Sequence, residues 1–172
     1  MSRAILIAMV LALVGCASTL ETVYVPAENK GWKVGSGTNR PGETFVEFIP
    51  TEESTSNWSR MFSIQFLEGK RDSPQRVMDT LQTRMRAHCP EAQWATISEN
   101  ATSVTYQWSV LNCAGQMDQI EIARVLSGNA GVHRIAFVRK GTSFAPGEKE
   151  KWLDAFSRAY VLKDGRPVVV TR

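Results

Sequence analysis

Between residues 44 and 67 the apolar side chains alternate with polar ones in two successive runs. Phe45, Glu47 and Ile49 alternate with Val46 and Phe48 until Pro50 ends the run, and residues 51–57 are polar. Trp58, Phe62, Ile64 and Phe66 then share one parity, interrupted only by Arg60, with Met61 and Leu67 on the other. A period of two is the pattern of a strand with distinct faces, so two strands are predicted here, followed by a turn over residues 68–72. The period then changes. Val77, Met78, Leu81, Met85 and Cys89 fall into one stripe at helical spacing. Ser73 stands before them as a side-chain acceptor for an orphan amide, and Pro74 has no amide to orphan. A helix is predicted to His88, and Pro90 stops it.

Alternation returns in four further segments. Residues 93–98 are a short strand; Val104, Tyr106, Trp108 and Val110 alternate cleanly against Thr105, Gln107 and Ser109, with a hairpin turn over residues 99–102. Ile120 and Ile122 oppose Glu121 and Ala123, and residues 133–139 follow the turn at residues 127–131. Short connections imply antiparallel neighbours. A last helix starts near Gly147 and carries Trp152, Leu153, Phe156, Ala159 and Tyr160, with Glu148 and Glu150 placed to suit its dipole. Residues 163–167 turn the chain into Val168, Val169 and Val170, which form either an edge strand or a free tail. The predicted fold is therefore α+β: a single antiparallel sheet of about six strands with two helices, in the order ββαββββα, over residues 44–172.

That order resembles the PsbP and Mog1-like fold, which also recurs in bacterial lipoproteins. The Phe45-Val46-Glu47-Phe48-Ile49-Pro50 opening and the Trp152-Leu153-x-x-Phe156 helix carry the likeness, which is topological. The tract from Asn57 to Met61 is similar to a phrase in small uncharacterised proteobacterial lipoproteins. A fold of this kind implies a central sheet flanked by helices and no particular reaction.

The start of the chain is more specific. Arg3 precedes an apolar run over residues 4–13, and Leu13-Val14-Gly15-Cys16 closes the segment. This resembles the lipobox of bacterial export signals. The resemblance implies removal of residues 1–15 and lipidation of Cys16, first on its sulfur. An apolar run of this length is too short for a spanning helix, which needs roughly 20 residues; an ordinary secretory signal is the other alternative. Ala17-Ser18 lacks the Asp that retains many lipoproteins at the inner membrane, so the resemblance implies the outer membrane, facing the periplasm. Acyl chains contribute about 0.8 kcal/mol per buried methylene, and two or three of them anchor a protein stably. Residues 16–43 contain Gly31, Gly35, Gly37, Pro41 and Gly42 and read as a lipidated tether. Tyr24, Val25 and Trp32 are its main apolar groups, and docking of these on the domain stays open.

Of three cysteines, Cys16 is assigned to the lipid, leaving Cys89 and Cys113 as a disulfide pair in an oxidising compartment. The alternative is a metal site that adds His88 and His133, but no C-x-x-C spacing supports it. The formal charge is +3 for the whole chain and one unit less without Arg3. That is too mild to argue for nucleic acid. No G-x-S-x-G elbow, H-E-x-x-H helix, Walker loop or strand-borne G-x-G-x-x-G is present, and no cofactor is predicted.

These features point to a non-enzymatic binding or accessory module, tethered to the membrane by Cys16, for an envelope, secretion or transport assembly. Thr51, Glu52, Glu53 and Asn57 in the polar loop, with Trp32, are the expected partner contacts. Arg84 and Arg86 on the first helix form a second surface, unless they are a plain solvated face. Two alternatives remain: a small-molecule or lipid carrier with an apolar pocket lined by the methionines of the first helix, and a hydrolase using His133 or His88.

Overall fold

The computed structural model describes residues 21–27 and 30–170; the leader and Cys16 lie outside them. In chain order come β1 (Glu21–Tyr24), β2 (Trp32–Arg40), β3 (Glu43–Pro50), β4 (Arg60–Glu68), α1 (Pro74–His88), β5 (Gln93–Asn100) and β6 (Ser103–Val110). They are followed by β7 (Gln119–Ser127), β8 (Gly131–Lys140), α2 (Glu148–Ser157), β9 (Tyr160–Lys163) and β10 (Arg166–Pro167). Seven strands make an antiparallel sheet in the order β2-β3-β4-β8-β7-β6-β5, and three make a small sheet in the order β1-β9-β10. The expected single sheet of about six strands with the order ββαββββα is thus overturned: among the described residues ten strands form two sheets, and the fold is mostly β.

The extra strands come from segments whose composition disguised them. β2 carries Gly35 and Gly37 and shows mostly polar side chains, because it is an edge strand paired only with β3. A bulge between Val34 and Ser36 breaks its register. Gly35 lies so close to β3 that a Cβ there would sit 3.2 Å from the Ile49 side chain, which explains a residue that reads as a linker glycine. β1 pairs with β9 across most of the chain, Tyr24 opposite Tyr160. Residues 21–24 and 32–40 therefore belong to the sheets, where a tether was expected. The last helix ends at Ser157, before Tyr160 turns into β9.

One helix packs on each face of the large sheet. Val104, Tyr106, Trp108 and Val110 of β6, Ala123 and Val125 of β7 and Val132 and Ala136 of β8 pack with Val77 and Met78 of α1. The opposite parity, Ile122 and Leu126 of β7 and Ile135 and Phe137 of β8, packs with Trp152 and Phe156 of α2 and with Val161 of β9. β7 and β8 are thus buried on both faces, which is why their apolar residues run almost without a break. Burial of this kind stabilises by roughly 1.5–3 kcal/mol per large apolar side chain.

Local signals fix the helices. Ser73 accepts the Arg76 amide at 3.2 Å, and Pro74 opens α1. At its other end Cys89 lies at disulfide distance from Cys113, Cα–Cα 5.7 Å, which ties α1 to the connection after β6. α2 has no side-chain cap at Gly147, but its C-terminus is met by Arg124 of β7, which donates to the carbonyls of Phe156, of Ser157 at 2.9 Å and of Ala159 at 3.4 Å.

Trp32 is not an exposed anchor. Its ring lies edge-on to Phe137 and Trp152, centroids 6.4 and 6.0 Å apart, with the Arg60 guanidinium 5.7 Å over it. Trp32→Ala should therefore lower stability by about 3 kcal/mol, the lower end of large aromatic truncations, because the ring is half-buried. An unchanged urea midpoint would place the ring outside the core. Changing both Cys89 and Cys113 to Ser should cost about 3 kcal/mol for a loop with a sequence separation of 24, seen as a matched shift when the wild type is unfolded under reducing conditions.

Candidate functional site

α1 covers the β5-β6-β7 end of its face and does not reach the other half, where Ile49, Met61 and Ser63 are buried all the same and Phe45, Glu47 and Val138 stay partly exposed. There the inward parity of β3, Phe45, Glu47 and Ile49, lies beside Met61 and Ser63 of β4 and Arg134 and Val138 of β8. Gln119 and Glu121 of β7 close one side, and Thr55 and Trp58 of the loop after β3 close another. The result is an open groove of about 400 Å³. The glycine at the β2 bulge lets that edge strand curl over Ile49 and gives the groove its second wall. Ser36 donates to Glu47 along this wall.

The floor is charged. Arg134 donates to the Tyr106 hydroxyl at 3.0 Å and to Glu121, and the Trp108 indole N–H donates to the same Glu121 oxygen at 2.6 Å. Burial pushes the Tyr106 phenol up, with Arg134 opposing and Glu121 reinforcing. Burial alone would lower Arg134, but Glu121 and Tyr106 more than reverse this and hold it protonated. A buried ion pair costs several kcal/mol in lost hydration per charge unless its remaining donors and acceptors are met; here the indole and the phenol meet them. The sequence signal was the interruption of two buried strands, by Glu121 between Ile120 and Ile122 and by Arg134 between His133 and Ile135. The pairing itself was not legible, since the register sets Glu121 opposite Val138 and Arg134 opposite Val125, and the Arg134 side chain reaches Glu121 along the strands past the small Ala123–Ala136 pair.

The polar loop that was expected to make contacts stands at the rim. Glu53 accepts the Ser59 amide at 2.6 Å and its hydroxyl at 2.5 Å. Burial tends to raise the Glu53 carboxyl, but these bonds, with Arg60 and Lys140 nearby, hold it below the usual range. Lys33 donates to the Thr51 carbonyl at 2.9 Å, Thr51 donates to Glu52, and the Asn57 amide bonds Ser54 at 3.0 Å. The loop is thus pinned at both ends. Lys140 sits 4.7 Å over the Trp58 ring.

Other expected residues lie elsewhere. Trp32 belongs to the α2 face, and Arg84 and Arg86 are exposed on α1 outside the groove lining. Cys89 and Cys113 bond each other, so they do not join His88 and His133 as ligands. Among the described residues no three His, Cys, Asp or Glu side chains converge as a metal site. Met78 and Met85 of α1 pack into its core, away from the groove.

His133 is enclosed. Its ring stacks on Phe66, centroids 4.5 Å apart, and its Nε2 lies 3.5 Å from Glu21 Oε2, while Nδ1 has no hydrogen-bond partner. The other Glu21 oxygen accepts the Asn129 amide at 2.9 Å. Gly128 is required beside them, since a Cβ would approach Glu21 to 2.2 Å. Burial lowers His133 from 6.5, and the Glu21 contact offsets this only in part. The unfolded chain therefore takes up a proton at a higher pH than the folded one. Stability from this site is complete above pH 6.5 and declines as pH falls through the depressed folded value, below which both states are protonated. His133→Gln should flatten the fall in urea midpoint between neutral pH and that lower value; equal slopes would remove His133 from the pH response.

No family model matches the chain, and neither a curated protein nor a solved structure is significantly similar to it, so the topological likeness to the PsbP and Mog1-like fold carries no argument beyond this point and function has to be read from the groove and the surfaces around it.

Proposed function

We propose that this chain is a lipoprotein anchored through Cys16 in the outer membrane, facing the periplasm, and that its folded part is a non-enzymatic binding module of an envelope assembly. The observation that carries the reading is the open groove on the half of the sheet that α1 does not reach. A concave groove with partly exposed apolar side chains and a few convergent polar groups is where a partner segment fits. Phe45 and Val138 offer apolar contact, Trp58 offers a flat anchor, and Glu47 and the Arg134–Glu121 pair fix orientation by polar contact. The leader pattern and the Cys89–Cys113 pair support an exported protein in an oxidising compartment.

The test places a photo-crosslinking amino acid at Thr55 on the groove rim and, in a second strain, at Arg84 on the exposed face of α1. Illumination in living cells should join Thr55 to one discrete envelope protein, with Arg84 giving none. Trp58→Ala should weaken that product without changing the unfolding free energy by more than about 1 kcal/mol, as for a half-exposed side chain. Cys16→Ala should abolish both the acyl mass increment and the crosslink. Equal products from Thr55 and Arg84 would defeat the groove assignment, and an unmodified Cys16 would defeat the lipoprotein reading.

A further inference from the structure

β1 is attached to the molecule by few contacts. It is four residues long, lies at the edge of the small sheet and has β9 as its ladder partner, while Val23 is only partly buried against the α2 face. Its polar tie to the large sheet is Glu21, which is 1% exposed and reaches the Asn129 amide at 2.9 Å and His133 Nε2 at 3.5 Å. A buried carboxylate is costly unless its lone pairs are met. Here one amide meets them well and the histidine loosely. The seat fits this side chain closely, since a Cβ on Gly128 would fall 2.2 Å from Glu21 Oε2.

His133 is the member of this seat that titrates near neutral pH. With its proton on Nε2, toward Glu21, the buried Nδ1 is a bare nitrogen that no group meets. A second proton would create an N–H on Nδ1 for which the closed seat has no acceptor. Water reaches it only when β1 lifts. Burial accordingly holds His133 below 6.5, and the Glu21 contact offsets this only in part. The other charges around the pair are engaged or exposed. Lys163, opposite Glu21 in β9, Arg166 of β10 and Glu68 of β4 are exposed. Arg124, on the same face of β7, is held by the carbonyls at the end of α2. Beyond Asn129, Lys70 pairs with Asp72 at 2.9 Å and Arg71 donates to the Asn129 carbonyl, also at 2.9 Å.

We propose that β1 is a releasable strap, with Glu21 as its bolt and His133 as the group through which acid opens it. The open form takes up a proton on His133 at a pH where the closed form does not. Opening is therefore favoured by up to about tenfold per pH unit below 6.5, until the closed seat is protonated as well. Closed, the strap limits the link between Cys16 and the domain to five peptide steps, ~18 Å at most. Open, that link runs to β2 at Trp32, sixteen steps and roughly 55 Å when extended. The change of reach rests on the lipid anchor proposed above; the strap itself does not.

The experiment follows amide hydrogen exchange of the full chain in lipid discs from about pH 7.5 to about pH 5, corrected for intrinsic exchange rates. Opening deduced for residues 21–27 should rise as pH falls below 6.5, by up to about tenfold per unit, while β6 and β7 stay protected. His133→Gln should remove this pH dependence. Gly128→Ala, which drives a Cβ into the place of the Glu21 carboxylate, should leave residues 21–27 open at every pH with β6 and β7 still protected. Protection of residues 21–27 that does not change with pH would overturn the strap, as would its loss in one step with that of β6. A pH response that survives in His133→Gln would overturn His133 as the trigger. Where that variant does not fold, the wild-type and Gly128→Ala profiles decide. The acyl mass on Cys16 reads the anchor separately.

Discussion

The width of the large sheet governs the rest of this molecule. Seven strands at a spacing of ~4.8 Å span roughly 29 Å, whereas an α-helix with its side chains is about 10 Å across. One helix per face cannot cover such a sheet. On the α2 face the deficit is met by the β1-β9-β10 sheet and by Trp32, which bring Val23, Val25 and Val161 over strands that α2 does not reach. On the α1 face β2 and the loop after β3 meet it only in part, with Ile49 and Met61 buried, and the groove is the remainder. The small sheet and the groove both follow from that mismatch between two helices and seven strands.

Much of the central region could be read directly because its signals are local. Ser73 and Pro74 start α1 as their chemistry dictates, and the parity of Val104, Tyr106, Trp108 and Val110 gives β6 and its buried face. The disulfide followed from cysteine number and an exported context. The missed elements share one property: their partners are distant or their side chains face water. β2 shows no apolar stripe because an edge strand with a bulge has little to bury. β1 and β9 are each four residues long and make sense only together, 136 positions apart from Tyr24 to Tyr160. Tyr160 continues the helical stripe of α2 in sequence, yet Arg124 closes the helix at residues 156–159 from another strand.

The Arg134–Glu121 pair sits where the two regimes of the α1 face meet. On one side Tyr106 and Trp108 belong to the packed core under α1; on the other Ser63 and Val138 belong to the groove. A pair fully inside the core would bear the whole hydration loss, and one fully outside would hold no fixed orientation. At the boundary Glu121 is pinned by the Trp108 indole and Arg134 by the Tyr106 hydroxyl, while the groove admits water to what remains. A partner segment that fills the groove removes that water, so it has to supply a polar group of its own near Arg134. For a binding groove of the kind proposed, such a floor would disfavour purely apolar occupants, a specificity that Phe45 and Val138 alone could not provide.

The two faces also differ in their relation to the anchor. From Cys16 to the first residue of β1 the chain has five peptide steps, which extend to ~18 Å at most. Glu21, at the end of that reach, is buried against His133 and Asn129, so the connection cannot lengthen by peeling back a residue without exposing a paired carboxylate. β1 lies on the α2 face. With Cys16 in the bilayer as proposed, a link of this length keeps β1 within that reach of the lipid. A long tether, as residues 16–43 first suggested, would have let either face meet either environment. With that anchor, the burial of Glu21 limits how far β1 can stand from the bilayer.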